Sequence, residues 1–403
     1  KETQKFDVAW HCSNCGQTGY EPDLSQQNNI MCSNSACAKP IKIKDQRRVI
    51  QPIGFVADFY QPPSNNVSQT AFIPVQNPWV MGKGDKISLP NPELGHMVID
   101  TSGHVFYHSS GLHGKGYALC LGCGRAESMT ATEERPKTMS LDKPHRPPMP
   151  NKFQRDENGK PECGATGKVM ESIHLGFNTT TDVFELVLRN SVTAEYLNDK
   201  NIAVTIAVSL REALVDNLGI SSNEVGYGTR PAIVGQSAKV QVIQLFDTVS
   251  GGAGFSISAA TLIDSLLRKM MAILNCKDNC DRYCHSCLLE SDSRHDIDRL
   301  DRKLALAWLE GADFANHIDL PEMYLSMFGS ENVKYNPMSI KEKFVELQRD
   351  KPTLVKFILS SNVDDWDISL GFLKSFFHGL LHNGQNVQVI VPVRHWEGEV
   401  RDF

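Results

Sequence analysis

Eleven cysteines occur in this 403-residue chain, and they fall into three groups with none left over. Cys12-x2-Cys15 is followed by Cys32-x4-Cys37. Cys120-x2-Cys123 is followed at a distance by Cys163. Cys276-x3-Cys280-x3-Cys284-x2-Cys287 forms the third group. An odd total cannot give a complete set of intrachain disulfides. Two thiolates from one tight turn can instead share a Zn²⁺ at ~2.3 Å. The chemistry these spacings suggest is metal binding.

In the first group Gly16 follows Cys15 and permits the turn with positive φ that aims backbone N–H groups at the thiolates. Cys32 and Cys37 then supply the second half, so residues 1–48 are expected to form a four-cysteine zinc ribbon. A redox C-x-x-C is the rival, but no βαβ pattern surrounds it and the second pair would go unused. The second group repeats the knuckle as Cys120-Leu-Gly-Cys123-Gly124 but lacks a ligand. The proline-rich stretch before Cys163 offers His145 as the fourth, with His174 as the next choice. The third group follows a run in which Ala259, Leu262, Ile263, Leu266, Leu267, Met270, Met271 and Leu274 recur at helical spacing. Cys280 and Cys284 are four apart, so one helical turn would bring them to one side. A single tetrahedral Zn²⁺ suits the four thiols. An iron–sulfur cluster is the alternative, since Cys280-x3-Cys284-x2-Cys287 has the three-cysteine spacing of radical SAM enzymes. Against it stand the fourth cysteine, Ser286 in place of an aromatic, and the late position of the motif.

Other residues have weaker claims. Lys42, Lys44, Arg47 and Arg48 could grip nucleic-acid phosphates, or balance the −2 charge of Zn²⁺ with four thiolates. Ser250-Gly251-Gly252-Ala253-Gly254, between a strand and a helix, has a geometry that can hold an anion or simply pack closely. His295 with Asp298 or Asp301 could form an acid–base pair, though i, i+4 ion pairing on a charged helix is the plainer reading. Asp364, Asp365 and Asp367 flank Trp366 just after a strand-like run, where α/β folds often carry sites.

These groups need elements to position them. Residues 49–110 read as β, with strands at 49–50, 54–60, 71–75, 97–100 and 104–107 and turns at 62–66 and 90–92. Further strands are read at Ile173–Phe177, Val183–Leu188 and Val240–Asp247. A helix is expected from a capping box at Ser209 and Glu212, closing at Gly219. Leu354–Ser360, a helix around Leu370–Leu381 and Val387–Pro392 make a βαβ pattern. The fold class is therefore α+β and multidomain. Its segments are 1–48 (ribbon), 49–170 (β-rich, second zinc site), 171–330 (helical four-cysteine module) and 331–403 (a small, incomplete α/β unit).

Composition narrows the function. Hydrophobic residues are 41% and charged residues 22%, as in globular proteins, so bulk disorder is excluded. The net charge of −6 argues against a general polycation, so any nucleic-acid contact must be a local patch. No apolar run approaches the ~18–20 residues of a membrane span. A cytoplasmic location is expected. The chain begins at Lys1 with no signal peptide and reads as the C-terminal piece of a longer protein.

Asp247-Thr248-Val249-Ser250-Gly251-Gly252-Ala253-Gly254-Phe255, then the four-cysteine cluster, then Leu300-Asp301-Arg302, resemble a known family. It is the MrfA-type zinc-binding domain found near the C-terminus of certain superfamily 2 helicases and in DISARM and Druantia phage-defence proteins. The resemblance covers roughly 170–310, and 45–310 if Gly116–Cys120 and Cys123–Arg125 are included. It implies that Cys276, Cys280, Cys284 and Cys287 bind zinc, and that 171–330 is the domain in question. It also implies DNA-directed ATPase machinery elsewhere in the parent, with a large Druantia-type helicase favoured. This chain has no G-x-x-x-x-G-K-[ST] and no D-E-x-H box. The expectation is a zinc-stabilised, non-catalytic region with about three Zn²⁺, scaffolding a motor and contributing to DNA or partner-subunit binding. An iron–sulfur or nuclease-like enzyme and a pure protein-interaction platform remain the alternatives.

Overall fold

A computed structural model describes residues 5–23, 30–35, 37–54, 73, 76–148, 154–234, 238–290, 292–331, 333–358 and 371–390. The strands before the first long helix are β1 (Asp7–His11), β2 (Thr18–Pro22), β3 (Gln46–Ile50), β4 (Trp79–Met81), β5 (Lys86–Ser88), β6 (Gly95–Ser109), β7 (Tyr117–Cys120), β8 (Ala126–Ser128), β9 (Gln154–Arg155), β10 (Pro161–Glu162) and β11 (Val169–Leu188). Helix α1 (Lys200–Leu218) leads to strands β12 (Val225–Val234) and β13 (Ala238–Asp247). Then come α2 (Phe255–Ser258), α3 (Ile263–Leu274), α4 (Arg302–Gly311), α5 (Phe314–His317), α6 (Glu322–Phe328) and α7 (Ile340–Asp350). The described part ends with β14 (Leu354–Ile358), α8 (Gly371–His382) and β15 (Asn386–Ile390). The architecture is mixed α and β. No described helix is long and apolar enough to cross a membrane.

The chain divides into two compact units, Lys1–Met81 with His104–Thr180 and Gly82–Gly103 with Thr181–Phe403. In the first, β1 pairs antiparallel with β2 and with β3. Strand β3 lies parallel to Ile173–Leu175 of β11, and β7 runs antiparallel to the start of β11 and to β8. Its apolar interior is a set of small clusters. One gathers Ala9, Val49 and Phe106, another Ile50, Leu119 and Ile173. A third gathers Ala118, Met129, Met139 and Val169 with Cys120 and Cys163 themselves. Among the described residues these clusters are small, and each contributes a correspondingly modest share of hydrophobic stabilisation.

The second unit has one large core and smaller clusters beside it. Strands β12 and β13 pair antiparallel from Val225↔Asp247 to Val234↔Ala238, and β13 pairs with Val183–Leu186 of β11. Helix α1 packs on both hairpin strands and on α3 and α4. It is buried on nearly every side, including Ala203, Val204, Ile206, Ala207, Val208, Leu210 and Leu214. Parallel β14 and β15 pack against α7 and α8 around Phe344, Val355 and Leu380.

Several local expectations need correction. Helix α1 starts nine residues before Ser209: Asp199 is the N-cap, accepting from the amides of Asn201 and Ile202. Ser209 sits inside the helix and donates back to Ile206 O, while Glu212 pairs with Arg211. The β-branched run Ile202–Val208 hid this start, since tertiary burial overrides its local preference. Gly219 does close the helix, at φ 67. The reciprocal capping box occurs instead at Ser339 and Glu342, opening α7. The strands read at 97–100 and 104–107 are one strand, β6, and those at 173–177 and 183–188 are one strand, β11. Polar Asn178–Thr181 extend β11 because threonine suits an extended backbone, exposed or not. Apart from Gly54 and Ile73, which are in no strand, the strands read at 54–60 and 71–75 lie outside the described residues, as do the turn at 62–66 and Asp364, Asp365 and Asp367.

Candidate metal centres

Two of the three cysteine groups are built on the same turn. Cys12 N donates to Gln17 O (2.7 Å) and Gly16 N to Cys12 O (2.8 Å). Cys120 N donates to Arg125 O (2.9 Å) and Gly124 N to Cys120 O (2.8 Å). Gly16 at φ 70 and Gly124 at φ 83 occupy the left-handed region that the turn demands.

Each turn meets its remaining donors through tertiary folding. Cys12, Cys15, Cys32 and Cys37 come together with all ligand atoms within 4.8 Å of one another. Within this tetrad Cys12 Sγ is 3.8 Å from Cys37 Sγ, and Cys15 Sγ is 3.4 Å from Cys32 Sγ. Cys120, Cys123, His145 and Cys163 form the second tetrad by the same measure. His145 and Cys163 arrive as a two-residue antiparallel bridge, each donating its amide to the other's carbonyl. His145 Nε2 lies 3.3 Å from Cys123 Sγ. His174, the other candidate, is instead held by Ser110 Oγ at 2.9 Å from its Nδ1. The third tetrad joins Cys276, Cys280, Cys284 and Cys287, with Sγ···Sγ distances of 3.6, 3.6 and 3.7 Å. It is made by a loop rather than by the helical turn the 280/284 spacing suggested. Cys276 (φ 27) and Asn279 (φ 43) bend this loop through the left-handed region, which strains the non-glycine backbone.

The donor sets fit zinc. A tetrahedron with ~2.3 Å Zn–S arms has edges of about 3.8 Å, which the observed separations approach. All eleven cysteines are free, and S–S bonding would need about 2.05 Å. Three four-donor clusters therefore fit about three zinc ions. Burial pushes the Cys15, Cys32, Cys280 and Cys287 thiols up, and Cys123 up to about 12. Burial also pushes Cys37 up, but the Asn14 amide and the Lys39 N–H outweigh it and bring it to about 7. Cys276 likewise ends at about 7, as the amides of Cys280 and Asp278 overcome burial. The first and third tetrads thus mix raised and lowered thiols, and a cation bound among thiols displaces protons.

The basic run beside the first tetrad is only partly available. Lys42 and Lys44 are exposed. Arg47 turns back on the carbonyls of Lys44 and Gln46 and lies over Trp79 (5.9 Å), and Arg48 pairs with Asp23. The glycine-rich turn before α2 is already filled: Asp247 accepts from the amides of Ala253, Phe255 and Ser256, and Asp182 from Gly254. The anion it holds is the protein's own. His295 meets Asp296 (3.5 Å), while Asp301 caps α4 and pairs with Arg282.

Sequence reasoning missed the groups around the tetrads. Asn14 Nδ2 donates to Cys37 Sγ (3.2 Å) and is itself held by Lys39. Arg302 reaches Cys280 Sγ (3.2 Å). An asparagine inside the first knuckle was a visible signal; Arg302 stood out only as part of Leu300-Asp301-Arg302 in the resemblance, with nothing to tie it to Cys280, 22 residues away.

Residues 206–288 match the family described as the MrfA Zn-binding domain, so the chain carries a domain of this type. It is 29% identical over 212 residues to Druantia protein DruE of Escherichia coli (strain UMEA 4076-1), covering 49% of this chain and 11% of DruE. The chain thus spans about a tenth of that relative's length. Among solved structures, one described as the DUF1998 helicase MrfA bound to DNA aligns with TM-score 0.31 and 12% identity, over 60% of this chain and 25% of that one.

Proposed function

We propose that the three tetrads each hold one Zn²⁺ and that the chain is a zinc-braced, non-catalytic region of a larger, helicase-related protein of phage defence. The observation that carries the reading is the convergence of all eleven cysteines and one histidine into three separate four-donor sets. Bound zinc supplies no redox chemistry; it closes loops that few apolar contacts hold, and its binding energy becomes folding energy. The first tetrad, on the β1–β2 hairpin and the segment that follows it, is read as a zinc ribbon. The third belongs to the domain matched at 206–288. Kinship with DruE supports the defence setting.

In this reading the region scaffolds a motor carried elsewhere in the parent protein and adds a DNA contact. That contact rests on exposed Lys42 and Lys44, on the turn Ile43–Asp45 beside the first tetrad, since Arg47 and Arg48 are engaged within the chain. Fluorescence anisotropy with labelled single-stranded and duplex oligonucleotides tests this. Binding should weaken steeply with salt, and K42A/K44A should reduce the log–log salt slope by about 2. Zinc-loaded protein that binds no DNA at low salt would leave a protein-docking scaffold as the reading.

A further inference from the structure

Among the described residues of the second unit two arginines are buried, Arg211 and Arg302, and a third, Arg230, is mostly covered; Arg211 and Arg230 have carboxylate partners. Arg211 is paired with Asp292 and Glu212, and Arg230 with Glu185. Arg302 is 3% exposed and has none. Its Nε donates to Cys280 O (2.7 Å) and to Cys280 Sγ (3.2 Å). Its Nη1 donates to Leu274 O (3.2 Å) at the end of α3, and its Nη2 to Asn279 Oδ1 (2.9 Å). The nearby cations are spoken for, Arg282 by Asp301 and Lys303 by Asp281. A buried guanidinium without a counter-charge is strongly unfavourable. Arg302 is also the first residue of α4, where a cation opposes the helix dipole. Asp281, exposed and paired with Lys303, also acts on Arg302 through space, but the negative group in direct contact with the guanidinium is the sulfur cluster.

We infer that Arg302 is the positioning and charge-compensating residue of the third metal centre, its N–H···S contact and positive charge holding Cys280 in place among the four ligands. Four thiolates on Zn²⁺ carry a charge of −2 in a part-buried loop. Arg302 offsets half of it and, through Leu274 O and Asn279, fixes the strained loop to the end of α3. An N–H···S bond draws electron density from the thiolate, so Cys280 becomes a poorer nucleophile, while the contacts to Leu274 O and Asn279 keep its loop closed about the metal. The inference deepens the zinc reading of that centre and depends on it.

The test uses the full zinc-loaded chain and follows alkylation of each cysteine by iodoacetamide with peptide mass spectrometry. The first two tetrads serve as internal references. Arg302→Gln should speed modification of Cys280 and its three companions by about 10–100-fold, the range seen when an outer partner of a metal ligand is lost, and leave the references unchanged. Arg302→Lys, which restores charge and one donor, should fall between. Asn279→Ala, which keeps the charge and loosens the fork, should speed Cys280 by a few-fold and stands in should R302Q fail to fold. In the Co²⁺-loaded chain, the sulfur-to-metal charge-transfer band should move to longer wavelength in R302Q. Unchanged rates in R302Q and N279A, or R302K reacting as fast as R302Q, would overturn the inference. Failure of the zinc reading looks different: wild-type Cys276–Cys287 would then react at the rate of free thiols.

Discussion

Cys284 and Cys123 show what a single donor is worth. Each is one of four convergent ligands, so Cys284→Ser or Cys123→Ser should remove one zinc per chain and leave two, measured by plasma mass spectrometry. The donor residues were legible in the sequence because two or three of each set lie within one turn. His145 was legible as a histidine in a proline-rich loop that needed anchoring. Asn14 and Arg302 were not assigned, since their roles exist only once distant segments meet. Buried histidines add to the pH response. His96 and His174 are each pulled down to about 3 by burial, reinforced by Lys86 and Arg47 respectively. The unfolded chain therefore binds more protons below pH ~6.5, and stability present above that pH is lost as pH falls toward 3. At pH 5 each histidine should cost about 2 kcal/mol relative to pH 7. Denaturant unfolding of His174→Gln should show a flatter profile between pH 7 and 5 than the wild type; an equally steep one would contradict this.

At the scale of elements, the chain is ordered by what each segment packs against. The amphipathic spacing of α3 was readable because only one stripe is buried, with Ile263, Leu266, Leu267, Met270 and Leu274 facing inward. The first half of α1 was not, because burial on all sides erases periodicity. Leu266→Ala should therefore destabilise the second unit by about 2–5 kcal/mol in denaturant melts, as cavity formation in a fully buried site does. The glycine-rich turn before α2 looked like an anion cradle from sequence alone, yet Asp247 fills it from the preceding strand. Asp247→Asn keeps the shape but weakens three charge-assisted bonds. It should lower stability by about 1–3 kcal/mol and leave the first unit's hydrogen-exchange protection unchanged.

Across the whole molecule the two units differ in what holds them. The second has a continuous apolar core, whereas the first has small clusters that count Cys120 and Cys163 among their members. A strong chelator should thus raise amide exchange in strands β1, β2, β3, β7 and β8 while α1, β12 and β13 stay protected. The α+β class could be read from alternating strand and helix patterns. The division into units could not, because 82–103 belongs with the second unit although it lies inside the first in sequence. The account turns on sulfur coordinating zinc at three places. Metal content of the purified, gel-filtered chain is the direct measurement. It should return about three zinc and no iron per chain, with eleven thiols recovered on denaturation in chelator; a brown, iron-bearing protein, or thiols lost in pairs to disulfides, would contradict it.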